Sequence, residues 1–116
     1  MGDNSIFVFG SNLAGRHGKG AALYARANFG AVYGCGEGLQ GDAYAIPTKD
    51  ERLKPLSLER IAKGIDRFIQ CASNNPERQF LITPVGCGLA GYSREEIKPL
   101  FRLMPDNCVF TKEWDE

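Results

Sequence analysis

Apolar residues in this chain gather into short runs separated by glycine-rich or charged stretches, and each run carries the period of one kind of element. Ser5-Ile-Phe-Val-Phe9 reads as a strand. It gives way to a loop, Gly10 to Ala22, and then to a helix-like run, Ala21 to Phe29. Gly30 to Asp42 holds five glycines among scattered polar residues, which predicts a mobile, irregular loop. Ala43-Tyr-Ala-Ile46 predicts a strand that Pro47 stops, and Lys49 to Pro55 a charged surface connection. Ser57 is placed to cap a helix, with Glu59 in its first turn. From Leu58, the residues Ile61, Ala62, Ile65, Phe68, Ile69 and Ala72 recur at three and four, one face of an amphipathic helix that ends near Ser73 to Pro76. Gln79 to Val85 is nearly unbroken apolar, as in a strand buried on both faces of a parallel sheet. A second glycine-rich turn, Gly86 to Tyr92, follows. Ser93 to Glu96 has the capping-box spacing and opens a helix through Leu103, which Pro99 either kinks or divides into two turns. Asn107 to Thr111 predicts the last strand.

Strands therefore alternate with helices, the order of an α/β fold with a mainly parallel sheet and helices on its faces. Length places residues 1–116 in a single domain. Ligands in such sheets collect at the carboxyl ends of the strands, where both glycine-rich turns fall.

Composition narrows the chemistry by exclusion. Fourteen basic residues balance fourteen acidic ones without long blocks, which argues against bulk electrostatic binding of nucleic acid. No run is long enough to span a bilayer and no signal peptide is present, so a cytoplasmic protein without a membrane partner is expected. Cys35, Cys71, Cys87 and Cys108 form no C-x-x-C pair; neither a metal site nor a disulfide framework is expected, and no cofactor.

The first loop, Gly-Ser-Asn-Leu-Ala-Gly-Arg-His-Gly-Lys-Gly-Ala-Ala22, places clustered backbone N–H groups between a strand and a helix N-terminus, an arrangement that suits phosphate. Neither a P-loop nor a G-x-G-x-x-G spacing is present. Asn12 can present donor and acceptor to a ribose or base edge, or simply shape the loop as an Asx-turn. His17, the single histidine, is either a solvated loop residue or a proton-transfer group. Cys87, between Gly86 and Gly88, invites a nucleophile reading with His17 as base, but its glycines are adjacent rather than spaced as in a nucleophile elbow. Lys49, two residues past Pro47, is placed to reach the same rim.

Taken together, Asn12 to Gly20 with its helix, Tyr44-Ala-Ile-Pro-Thr-Lys49, and Ile82-Thr-Pro-Val-Gly-Cys-Gly-Leu89 resemble the macro domain family of ADP-ribose binders, in particular its terminal ADP-ribose glycohydrolase-like members. Nearly the whole chain is covered, in the family's order. The chain is shorter than usual and nothing precedes its first strand, which implies a trimmed phage or bacterial form. The resemblance implies a three-layer α/β/α domain whose two glycine-rich turns close on ADP-ribose or an ADP-ribosylated target. It assigns Asn12, Gly15, Gly18, Gly20, Ala21, Thr48, Gly86, Cys87, Gly88, Leu89, Ala90, Gly91 and Tyr92 to the ligand, with Asn12 near the distal ribose and Tyr92 covering it or stacking nearby. In the glycohydrolase a lysine matching Lys49 attacks the ribose anomeric carbon. The aspartate that follows Gly-Cys-Gly-Leu in that enzyme is Ala90 here, leaving Asp50 or Asp42 as stand-ins, or a water oriented by His17. Removal of ADP-ribose from a target, a non-catalytic nucleotide sensor, and a Cys87/His17 hydrolase are the three functions carried forward.

Overall fold

Alternating strands and helices are what the chain adopts. The computed structural model describes residues 5–115: β1 (Ser5–Asn12), α1 (Gly20–Asn28), β2 (Gly38–Gln40), β3 (Ala43–Lys49), α2 (Leu58–Ser73), β4 (Gln79–Ile82), α3 (Arg94–Ile97) and β5 (Cys108–Phe110). The strands form one mixed sheet in the order β2-β3-β1-β4-β5, in which only β2 runs antiparallel to its neighbour.

Side chains alternate across a strand, so the sheet has two dissimilar faces. On one, Ile6, Val8, Tyr44, Ile46, Phe80 and Ile82 meet Ile61, Ile65, Phe68 and Ala72 of α2, with Ile97, Phe101 and Trp114 closing the cluster. Phe68 is its hub, edge-on to Tyr44, Phe80 and Phe101 at centroid distances of 5.1, 5.6 and 6.1 Å; truncating such a ring costs about 3–5 kcal/mol. The other face is rich in alanine. Phe9, Ala43 and Ala45 pack against Ala22, Ala25 and Ala31, with Phe7 and Phe29 beside them, and the alanines let α1 lie close. Helices on both faces make three layers.

Several boundaries differ from the sequence expectation, each for an identifiable reason. Pro47 does not stop β3, which runs on to Lys49. Instead the register with β1 slips: Ser11 pairs with Pro47 but Asn12 with Lys49, leaving Thr48 over. A proline has no N–H for the ladder, and the Thr48 hydroxyl supplies a donor instead, to the Ser11 carbonyl at 3.2 Å. β4 ends at Ile82 rather than Val85, because Thr83 turns back on Val8, its N–H and hydroxyl both donating to that carbonyl at 3.2 and 2.6 Å. The capping box at Ser93 and Glu96 is complete, yet α3 ends at Ile97 and Pro99 sits in a separate 3-10 turn, Lys98–Leu100, where its missing N–H costs no bond. The glycine-rich stretch after α1 is not irregular throughout. It contains β2, and Gln40 holds it together by accepting from Val32 N–H (2.7 Å) and donating to the Cys35 and Gly38 carbonyls (3.1 and 3.3 Å).

Candidate functional site

At the carboxyl ends of β1, β3 and β4 the chain encloses a cleft of about 1020 Å³. Its floor is Gly10, Ser11 and Asn12 of β1, with Thr48 and Lys49 on one side and Thr83 to Gly86 on the other. Gly18 to Ala22 form one wall, Gly88 to Ala90 the opposite one. These are the two glycine-rich turns. On the floor between them the chain runs close, since a Cβ at Gly10 would lie 3.3 Å from the Gly86 nitrogen.

The start of α1 supplies the polar wall. Lys19 is its N-cap residue but makes no side-chain capping bond, and its first turn holds no acidic residue. The first N–H groups of a helix have no partner within the helix, and together with the helix dipole they favour an anion. Arg16 and Lys19 also line the cleft and are exposed. An uncapped helix start flanked by two cations is suited to a phosphate group.

Among the residues singled out in the sequence, Asn12, Gly18, Gly20, Ala21, Thr48, Lys49, Gly86, Gly88, Leu89 and Ala90 all line this cleft. Asn12 is buried, and its amide clamps the turn: Oδ1 accepts from Arg16 N–H at 2.9 Å and Nδ2 donates to the Arg16 carbonyl at 3.1 Å. The Asx-turn reading thus describes its hydrogen bonds here, and a ribose has only the remaining amide hydrogen and lone pair to meet. Lys49 ends β3, half-buried, at the rim.

The other candidates stand elsewhere. His17 is fully buried and does not line the cleft. Its ring stands edge-on to Phe9 at 5.2 Å, Nε2 lies 3.4 Å from the Ser11 hydroxyl, and Nδ1 has no hydrogen-bond partner. Burial holds the imidazole below its usual range, Arg26 adds to the effect and the Cys35 backbone opposes it. The ring is packed under the turn, away from the cleft lining, and its burial disfavours the charged form.

Asp50 is also absent from the cleft lining. Its Oδ1 accepts from Lys54 N–H at 3.0 Å and Arg52 N–H at 2.8 Å, and those bonds, Lys54 first, hold its carboxyl below the usual range. It shapes the turn after β3. Asp42 lies at the far end of β3, paired with Arg78 at 3.1 Å. The Cys87 thiol leaves the cleft to pack beside the larger core, donating to the Val85 carbonyl at 3.5 Å, and burial pushes it upward. Cys87 and His17 thus make separate contacts, with the Val85 carbonyl and the Ser11 hydroxyl, and burial disfavours the Cys87 thiolate.

Tyr92 and Gly91 are likewise outside the cleft lining. The Tyr92 hydroxyl donates to the Leu56 carbonyl at 2.6 Å, which fastens the second turn to the chain leading into α2. Gly15 serves loop packing: it has φ +71°, and a Cβ would meet the Gly34 carbonyl carbon at 2.3 Å. Cleft residues that the sequence reading did not single out include Phe7, Tyr24 and Glu113. Phe7 and Tyr24 carried only a core or helix signal, and Glu113 lies in a terminal 3-10 turn, Lys112–Asp115, that no periodicity marks.

No helix among the described residues is long and apolar enough to cross a membrane, and none of their His, Cys, Asp and Glu side chains cluster as a metal site. No family model matches the sequence, and no curated protein resembles it at a significant level. The fold is a different matter. The macrodomain of DarG from Mycobacterium tuberculosis superposes with a TM-score of 0.67 and 22% identity, over 92% of this chain and 87% of that one. With its sheet order, its two facing turns and this superposition, the chain has the macrodomain fold.

Proposed function

We propose that the cleft binds ADP-ribose, free or attached to a modified partner. The observation that carries this reading is the start of α1, uncapped and without an acidic residue, facing a glycine-rich turn across a cleft floored by strand ends. Backbone N–H groups there replace the dense basic patch that a charge-driven phosphate site would need, in keeping with the chain's balanced charge. The cleft is also of a size for a dinucleotide-like ligand, at the upper end of the range for small-molecule sites. Isothermal titration with ADP-ribose, AMP and NAD tests it. Binding of ADP-ribose ahead of the other two supports the reading, and an absence of heat with all three overturns it.

Release of ADP-ribose from a target is the second reading, supported by Lys49 at the cleft rim. Against it stands Ala90, a methyl group where the glycohydrolase carries its carboxylate, with Asp50 and Asp42 both engaged away from the cleft. Binding without turnover, as in a nucleotide sensor, is accordingly the reading the residues favour.

A further inference from the structure

Of the described residues that line the cleft, Leu53 is the only one other than glycine at positive φ, +65°. A residue with a bulky side chain avoids that region, because its Cβ crowds the following carbonyl oxygen. Packing does not repay the strain, since 43% of Leu53 is exposed. A single exposed leucine is ordinary, but one held in a strained backbone on the rim of a cleft calls for a cause.

The turn that holds it is over-determined. Its base is closed by an antiparallel bridge between Lys49 and Pro55 and by the Leu56 N–H, which donates to the Thr48 carbonyl at 2.9 Å. Inside the turn, Asp50 N–H donates to the Lys54 carbonyl at 2.7 Å and Leu53 N–H to the Asp50 carbonyl at 3.0 Å. Oδ1 of Asp50 accepts from the N–H groups of Arg52 and Lys54. Four bonds thus converge on Asp50, which acts as a positioning residue for Leu53. Backbone strain persists where the surrounding structure fixes it in this way, and it gathers at ligand sites.

The cleft lining at the base of this turn is polar. Ser11, Asn12, Thr48 and Lys49, at the ends of β1 and β3, offer hydroxyls, an amide and an amine, groups that suit a sugar. A leucine adds nothing to the recognition of sugar hydroxyls. A second exposed leucine, Leu89, lines the cleft from the Gly86 to Tyr92 turn, which the Tyr92 hydroxyl ties to Leu56, directly after the Lys49–Pro55 bridge. We infer that Leu53 sets specificity for what the ligand's sugar carries: it packs against an apolar group attached at the outward end of the sugar, so that the cleft takes an ADP-ribosylated partner in preference to free ADP-ribose. The inference rests on the ADP-ribose reading of the cleft, with the sugar on the Lys49 side.

Calorimetric titration of the wild-type chain and of L53N with free ADP-ribose, with its isobutyl glycoside and with its carboxymethyl glycoside, both substituted on the anomeric oxygen, tests it. The wild type should bind the isobutyl form about fivefold more tightly than free ADP-ribose, the scale of one or two methylene groups leaving water, and should show no such gain for the charged form. Asparagine is polar and tolerates positive φ, so L53N should melt at or above the wild-type temperature while its ratio falls to about twofold or less. D50A should also lose the preference, and D50N, which keeps an accepting oxygen, should retain it. Equal wild-type affinity for the isobutyl and free forms, an equal gain with the carboxymethyl form, or a preference that survives in L53N or D50A overturns the inference while leaving ADP-ribose binding standing. No binding of any of the three ligands overturns the reading beneath it.

Discussion

Replacing Gly15 with alanine should loosen the first turn without touching any ligand atom. Two costs add. The residue sits at φ +71°, where a Cβ is unfavourable by about 1–2 kcal/mol. The new methyl would also stand 2.3 Å from the Gly34 carbonyl carbon and 2.4 Å from the Cys35 nitrogen, both backbone atoms of a segment tied to this turn by the 2.8 Å bond from Gly34 N–H to the Gly15 carbonyl. Backbone does not rotate aside as a side chain does, and overpacking of this kind adds about 1–3 kcal/mol. The sum, about 2–5 kcal/mol, is a large share of the roughly 5–15 kcal/mol that holds a domain folded. Urea unfolding of Gly15→Ala beside Gly18→Ala measures it, since a Cβ at Gly18 meets nothing within 4 Å. The first should lose stability on that scale and the second should stay within about 1 kcal/mol of wild type. Equal midpoints for Gly15→Ala and the wild type, with equal slopes, would refute the view that the glycine-rich stretch after α1 braces the first turn.

Three further outcomes are expected. Gly88 borders the cleft with open space around its Cα, so Gly88→Trp should leave the melting temperature nearly unchanged while weakening ADP-ribose binding at least about tenfold in titration; unaltered affinity would move the ligand away from the second turn. If ADP-ribosylated substrate is turned over, Lys49→Ala should slow release of ADP-ribose by about a hundredfold or more, and a preserved rate would remove Lys49 from the chemistry. Burial lowers the folded-state pKa of His17, so the unfolded chain takes up the proton first. Its contribution to stability is therefore present above the unfolded value of 6.5 and is lost as pH falls through and below it, at up to about 1.4 kcal/mol per pH unit. Denaturation midpoints of wild type and His17→Phe at pH 7.5 and 5.5 check this; parallel pH dependence in the two would refute it.

Much of the architecture was written in local patterns. The 3.6 period of α2, the Ser57 cap and the capping box at Ser93 are properties of a few adjacent residues, and each appears where it was read. The clustering of the two turns at the strand ends likewise follows from the order of elements. What could not be read depends on contacts across the chain. Whether His17 points to solvent or inward is decided by Phe9 and Ser11, and whether the Asp50 carboxyl is free by the fold of the next four residues. Glu113 enters the cleft only because Trp114 is held by Ile82, 32 positions away in sequence. A proline ended the strand in the sequence reading because its missing N–H is a local fact, whereas the Thr48 hydroxyl that replaces it acts on a different strand.

That substitution of donors at Pro47 governs the phase of everything after it. In an unbroken ladder Thr48 would stand opposite Asn12, and the slip gives that place to Lys49. One extra residue shifts the following side chains by about 3.3 Å along the strand and exchanges the face each presents. The lysine therefore owes its station at the rim to a count of residues in the backbone. A donor-bearing residue at position 47 would offer the ladder its missing bond, and so a way to withdraw the amine from the cleft while every residue that lines it keeps its identity.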